Sequence, residues 1–194
     1  FEYQDNKVSN KKIFFAGLIN TNKGLDLLIK ALALINDQNV TLEIAGEVRD
    51  NAYYSVLKKM VKDSNLESRV FFLGHLDQSQ LVQKYLEMSL FCLPSRQETA
   101  PLVISESMAI GRPVIASDKC GMPYMISNEE TGFLFSPENV EELTEHIERV
   151  LKNDELQKQM STNARKAAKK RWHPKIVAEK TFDAYKQIFQ ESYN

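Results

Sequence analysis

Compact apolar runs alternate with amphipathic stretches along most of the chain. The apolar runs predict buried strands at 12–17, 40–46, 70–74, 90–93, 113–117 and 132–135. Between them, apolar residues recur at helical spacing and predict helices at 25–35, 53–62, 78–88 and 101–110. Strands separated by helices of this length indicate βαβ units and a parallel sheet buried on both faces. The chain is therefore predicted to be a Rossmann-like, doubly wound α/β domain with about six strands.

The pattern changes after the sixth predicted strand, because only helices follow. Ser136-Pro137-Glu138 has the composition of a helix start, and further helices are predicted at 154–171 and 175–190, on either side of Trp172-His173-Pro174. The last helix has an apolar face that either packs on this domain or contacts another one. We expect 12–171 to be the α/β domain and 172–194 to be a C-terminal helix. The apolar face of that helix consists of Phe182, Tyr185, Ile188 and Phe189.

Three of the predicted strands end in glycine, at Gly17, Gly46 and Gly74. Open α/β sheets bind ligands beyond the carboxyl ends of their strands. A glycine there allows the backbone to approach a ligand closely, but it also makes tight turns. Both interpretations stay open at this point.

Composition limits the possible functions. The 194 residues suit one domain, and a formal net charge of −1 argues against a nucleic-acid partner. Cys92 and Cys120 lack metal-type spacing and are expected to be reduced thiols in a cytoplasmic protein. No apolar stretch is long enough to span a membrane. The start at Phe1 shows neither an initiator Met nor a signal-peptide pattern, so we expect a fragment or a processed product.

A basic cluster near residue 170 is the only local departure from this neutral balance. We interpret it as the solvated face of a helix, with contact to an acidic or lipid surface as the alternative. The cluster consists of Lys166, Lys169, Lys170 and Arg171.

The segment 93–118 carries the candidate chemistry. Glu98 and Glu106, with seven residues between them, flank the start of a short predicted helix that begins near Pro101. The free amides at a helix start favour anions such as phosphate, and carboxylates accept hydrogen bonds from vicinal hydroxyls. Amides for a phosphate and carboxylates for sugar hydroxyls are what a sugar nucleotide requires. Two solvated acids on a helix surface would give the same spacing.

This segment resembles the E-x7-E motif of the family 4 retaining glycosyltransferases, which have the two-domain GT-B fold. Upstream, Phe15-Ala16-Gly17 and Lys23-Gly24 are similar to further family motifs, and downstream so are Gly121 and 128–134. The resemblance covers about residues 12–151, in the family's order and spacing. The matching positions in the central motif are Pro94, Ser95, Glu98, Glu106, Met108, Ala109, Gly111, Pro113, Val114 and Ile115.

The resemblance implies a role for each candidate residue. Lys23 and Glu98 would be the catalytic residues. Lys23 would bind the diphosphate and assist its departure, and Glu98 would contact the donor sugar or help to stabilise charge at its anomeric centre. Glu106 would bind the ribose hydroxyls. Gly17 and the amides of Leu102 and Val103 would approach the phosphates. His75 and Leu76 would line the base pocket, although a surface-loop histidine is an equal alternative for His75.

The resemblance also implies a reaction. The parent enzyme would transfer a hexose from a nucleoside diphosphate sugar to an acceptor hydroxyl with retention, without a metal or other cofactor. The two-domain fold of the family implies that an N-terminal domain is absent from this chain and that 1–11 is a linker or a remnant of it. The acceptor, a saccharide or a lipid-linked saccharide, would bind to that domain, and 172–194 may cross to it. Such enzymes often make surface polysaccharide, lipopolysaccharide or glycolipid, in the cytoplasm or at the inner face of its membrane. Membrane association is expected only of the parent protein, and this chain alone is expected to be nearly inactive.

The sequence departs from the family pattern at three positions. Leu18 stands where an arginine is usual, Pro101 where a glycine is usual, and Ser107 where an alanine is usual. Arg96 or Arg112 are candidates for the missing cation. A noncatalytic interaction domain and a sugar-nucleotide epimerase of related architecture therefore remain alternatives. A dinucleotide-dependent oxidoreductase and a P-loop NTPase are disfavoured, because neither glycine-rich motif follows the first strand.

Overall fold

Residues 11–191 are described by a computed structural model, and they contain a six-stranded sheet. All neighbouring strands run parallel in the order β3-β2-β1-β4-β5-β6. This confirms the predicted Rossmann-like α/β fold. The strands are β1 (Lys12–Ala16), β2 (Thr41–Ala45), β3 (Val70–Gly74), β4 (Leu90–Leu93), β5 (Val114–Ser117) and β6 (Gly132–Phe135).

Helices cover both faces of the sheet. One group contains α1, which packs against α2 and α5, and the other contains α4, which packs against α3 and α6. Because both faces are covered, β4 and β5 are buried along their whole length, as their apolar runs indicated. The helices are α1 (Leu25–Leu34), α2 (Asn51–Asp63), α3 (Gln78–Glu87), α4 (Leu102–Ile110), α5 (Val140–Leu151), α6 (Asp154–Trp172) and α7 (Pro174–Glu191).

Side-chain caps explain where several helices begin. Asp50 accepts a hydrogen bond from the Tyr53 amide at the start of α2. At the start of α3, Asp77 and Gln80 form a reciprocal capping box. Pro174 is the first residue of α7, a position at which the missing N–H of proline costs little.

The predicted start of α5 is wrong. The helix begins at Val140, and Asn139 rather than Ser136 is its cap, accepting from the Glu142 amide at 3.0 Å. Glu138 has φ 65°, which is a left-handed conformation that cannot belong to a right-handed helix. Its carboxylate is bound by Arg96, so a contact distant in sequence overrides the local composition.

The last helix, α7, extends away from the sheet and contacts α6. Its apolar side chains are between 61% and 70% exposed at Phe182, Tyr185, Ile188 and Phe189. The described part of this domain therefore does not cover that face, contrary to the packing alternative. Residues 1–10, which make up most of the expected linker, and 192–194 lie outside the described residues.

The centre of the sheet is a topological switch point. β1 and β4 are neighbours, but the chain leaves β1 toward β2 and leaves β4 toward β5. The loops after these two strands therefore lead to opposite halves of the sheet, and doubly wound folds bind their ligands beside such a point.

Candidate functional site

The two loops at the switch point bring Lys23 and Glu98 into direct contact. Lys23 follows β1, Glu98 follows β4, and Lys23 Nζ donates a hydrogen bond to Glu98 Oε1. Their side chains are only 21% and 15% exposed. Ser95, which is fully buried, donates its hydroxyl to the same oxygen at 3.2 Å. The structure therefore brings these two candidate site residues together.

Backbone contacts lock the two loops together. The Arg96 amide donates to the Asn22 carbonyl at 2.7 Å. Gly24 has φ 65°, and a Cβ atom there would lie 2.0 Å from the Pro94 carbonyl oxygen. Only glycine suits this combination of left-handed backbone and close approach. The Lys-Gly pair of the sequence motif thus places Lys23 beside the loop that carries Glu98.

Arg96 fastens the site from outside. Its guanidinium donates to both carboxylate oxygens of Asp26 at 2.9 Å, and to those of Glu138 at 2.8 and 2.9 Å. It also donates to the Thr21 carbonyl at 2.7 Å. Burial by itself raises the pKa of Asp26. The hydrogen bonds from Arg96 and Tyr53 together lower it by more than burial raises it, so the pKa is lowered overall. Through these contacts Arg96 joins its own loop after β4 to the segment 21–26 and to Glu138.

Neither candidate arginine replaces the cation expected at Leu18. Arg96 is engaged as described, and Arg112 is buried, donating to the carbonyls of Tyr85 at 3.2 Å and Leu86 at 2.5 Å. Leu18 itself is 42% exposed. Lys23, whose one described partner at the site is the Glu98 carboxylate, is the candidate cation for the phosphates.

The start of α4 offers backbone amides. Pro101 precedes the helix in an extended conformation and has no polar side chain with which to cap it. The first amides of a helix have no partner within it, so those of Leu102 and Val103 are suited to an anion. Leu102 is 73% exposed. Because Pro101 lies before the helix, its missing N–H removes none of these donors.

Glu106 lies on the exposed side of α4 and contacts a different partner. Its Oε2 accepts a hydrogen bond from the Tyr85 hydroxyl at 2.9 Å. The structure thus joins Lys23 to Glu98, and Glu106 to α3, as two separate contacts.

The remaining predicted residues lie at the carboxyl edge of the sheet. Gly17 directly follows β1, and a Cβ atom there would be 3.6 Å from Lys23 Cε. His75 is exposed and Leu76 is half-buried just after β3, the edge strand. Gly46 has a packing explanation, because its Cβ would lie 1.8 Å from the Gly17 carbonyl oxygen.

Sequence reasoning missed the roles of Tyr85 and Ser95. Tyr85 lies within the helix predicted at 78–88, and a buried tyrosine hydroxyl needs a hydrogen-bond partner. That requirement was the available signal, although it could not identify Glu106 as the partner.

Metal and membrane sites can be described only for residues 11–191. Within that range, no group of three or more His, Cys, Asp or Glu side chains could hold a metal ion. The same residues include no helix with the length and apolar character needed to cross a bilayer. Metal-independent chemistry stays a prediction.

Residues 2–167 match the family model described as glycosyl transferases group 1. The chain belongs to this family. It is 31% identical over 178 residues to a glycosyltransferase of Haemophilus influenzae, covering 89% of this chain and 48% of that protein. The chain thus spans about half the length of this relative.

Solved structures agree with this assignment. Sucrose-phosphate synthase of Thermosynechococcus elongatus superposes with a TM-score of 0.86 and 28% identity, over 95% of this chain and 47% of that one. Anabaena HepE, in complex with UDP and glucose, superposes with a TM-score of 0.83 and 25% identity, over 92% and 48%. The α/β domain is therefore of the kind found in GT-B glycosyltransferases.

Proposed function

We propose that this domain binds the nucleoside diphosphate sugar of a retaining, family 4 glycosyltransferase. The parent enzyme transfers a hexose to an acceptor hydroxyl, in the synthesis of surface polysaccharide or glycolipid. The anomeric carbon loses its bond to the diphosphate, and the acceptor oxygen bonds to the same face while its proton passes to the departing diphosphate. This proposal rests on one observation: Lys23 and Glu98 meet at the switch point of the sheet.

Lys23 supplies the positive charge for the leaving group. Its present partner is a single carboxylate, whereas a diphosphate carries more negative charge and would compete for the ammonium. As the glycosidic bond breaks, negative charge grows on the diphosphate, and a cation held there lowers the barrier. The Ser95 hydroxyl, which also donates to Glu98, would hold that carboxylate near the sugar while Lys23 serves the phosphates.

The other site residues complete the donor pocket. The amides of Leu102 and Val103 serve the phosphates together with the backbone at Gly17. Glu106 takes the ribose hydroxyls, while His75 and Leu76 contact the base. The support for these roles is their position at the carboxyl edge of the sheet and at the start of α4.

The acceptor side of the reaction belongs to the parent protein. We assign acceptor binding, and any membrane association, to a second domain of the kind that accounts for the greater length of the relatives. The exposed apolar face of α7 is suited to contact that domain. The reaction needs no metal ion in this proposal, since Lys23 and the helix amides serve the phosphates. We propose a cytoplasmic location or one at the inner face of the cytoplasmic membrane, where sugar nucleotides are supplied.

Nucleotide titration tests the proposal directly. We expect saturable binding of one nucleoside diphosphate, with UDP, GDP and ADP compared by calorimetry or by NMR shifts. Lys23→Ala removes a charge-assisted contact and should weaken binding about tenfold to a hundredfold. Lys30→Ala is the matched control, since Lys30 is exposed on α1 and its loss changes the net charge equally. Equal affinities in the two variants would contradict the role of Lys23.

A noncatalytic interaction domain is the second candidate. The exposed Leu18 favours it, because the structure offers neither Arg96 nor Arg112 as a replacement cation. It predicts no saturable response to any nucleotide. A separate assay addresses catalysis: full sugar-transfer activity from the 194-residue chain alone would contradict the need for a second domain. Acceptor-dependent product formation by the parent protein would distinguish a transferase from an epimerase.

A further inference from the structure

Tyr85 is a buried tyrosine whose hydroxyl faces the candidate site. It is 1% exposed, and its ring contacts the Phe14 ring of β1 edge-on, with centroids 5.5 Å apart. The Phe91 ring of β4 lies 5.9 Å away. Two central strands therefore fix the ring, and with it the position of the hydroxyl.

The backbone of Tyr85 is also fixed. Arg112, which follows α4, donates to the Tyr85 carbonyl at 3.2 Å and to the next carbonyl at 2.5 Å. The end of α3 that carries Tyr85 is thus tied to the end of α4, the helix that carries Glu106. These backbone contacts fix the position of α3 relative to α4. They therefore hold the Tyr85 hydroxyl near the Glu106 carboxylate without involving either group.

In the hydrogen bond between Tyr85 and Glu106, the tyrosine hydroxyl is the donor. Burial raises the pKa of Tyr85, and the negative charge of Glu106 raises it further, so the phenol keeps its proton. Tyr85 therefore donates and Glu106 accepts. Glu106 is otherwise an exposed side chain with freely rotating bonds, and fixing Oε2 restricts the direction in which Oε1 points.

We propose that Tyr85 is a positioning residue that orients the Glu106 carboxylate toward the vicinal hydroxyls of the donor ribose. The inference rests on the proposed function, because it needs a nucleotide in the site. Tyr85 itself touches no part of the donor. It restricts the rotation of the Glu106 side chain before the ribose binds. Less conformational entropy is then lost on binding, which favours affinity.

Tyr85→Phe tests this inference, since it removes only the hydroxyl and keeps the ring packed. The affinities of the 194-residue chain for UDP and for 2′-deoxy-UDP are measured by calorimetry. We expect the variant to lose about tenfold in UDP affinity and much less in 2′-deoxy-UDP affinity, so that discrimination between the two falls. In a Glu106→Ala background, Tyr85→Phe should have no further effect.

Tyr53→Phe is the matched control. Tyr53 is also buried and donates to a carboxylate, Asp26, at 2.6 Å. Asp26 binds Arg96 and is assigned no contact with the ribose, so any loosening of the two loops would weaken both nucleotides equally. Tyr53→Phe should lower thermal stability similarly and leave discrimination intact. An equal loss for both nucleotides in Tyr85→Phe, or no loss, would overturn the inference alone. If the unaltered chain binds no nucleotide, the proposed function fails and the inference fails with it.

Discussion

A single methyl group at Gly121 should disrupt the loop that carries Glu98. Gly121 has φ −85° and ψ −12°, a conformation that alanine adopts without strain. However, a Cβ atom there would lie 1.5 Å from the Thr99 carbonyl oxygen and 3.2 Å from the Glu98 carbonyl oxygen. The Gly121 amide donates to that same Glu98 carbonyl at 2.8 Å. The glycine is therefore required by its neighbours rather than by its backbone angles.

The expected magnitude follows from these contacts. Cβ contacts below 3.0 Å essentially do not occur, so Gly121→Ala must push the Thr99 oxygen away by about 1.5 Å. Losing the hydrogen bond to Glu98 costs about 1 kcal/mol. Overpacking a constrained segment costs about 1–3 kcal/mol more. We expect the free energy of unfolding to fall by about 2–4 kcal/mol. Affinity for the nucleoside diphosphate sugar should fall as well, because Glu98 moves with the loop.

Gly74→Ala supplies the control. Gly74 has φ 70°, where alanine is strained by about 1–2 kcal/mol, but nothing lies within 4 Å of its added Cβ. Backbone angles alone would make Gly74→Ala the more damaging change, whereas the contacts reverse that order. Urea unfolding of both variants decides between them. If Gly121→Ala unfolds as easily as Gly74→Ala or less easily, the steric reasoning is refuted.

Three further predictions concern stability. Ser107 is fully buried and its Oγ has no hydrogen-bond partner among the described residues, so Ser107→Ala should raise the free energy of unfolding by about 1 kcal/mol in urea titrations. The lowered pKa of Asp26 means that its stabilising effect is complete above about pH 4 and is lost as the pH falls through the folded-state pKa; Asp26→Asn should therefore be less stable at pH 7, and its urea midpoint should change less on acidification. Deleting 174–194 should leave the melting temperature of the remaining chain nearly unchanged, because the apolar face of α7 is exposed; a large drop in a calorimetric scan would show that α7 supports this domain.

The amino-acid sequence by itself determined the architecture. Apolar runs of strand length alternate with stretches of helical period, and each such pattern specifies its element locally. The α/β fold follows, as does the placement of the chemistry-bearing loops at one edge of the sheet. The motif around Glu98 and Glu106 also identified the family, because the spacing between motif residues is itself a property of the sequence.

Only the tertiary structure decided which side chains are partners. Lys23 meets Glu98 because β1 and β4 are neighbours, a consequence of strand order rather than of local pattern. Arg96 binds Asp26 and Glu138, and that contact prevents the predicted helix start at 136–138. These hydrogen bonds and ion pairs join residues that are far apart in the chain. The hydrophobic pattern of one segment indicates its own helix or strand but not which other segment it contacts.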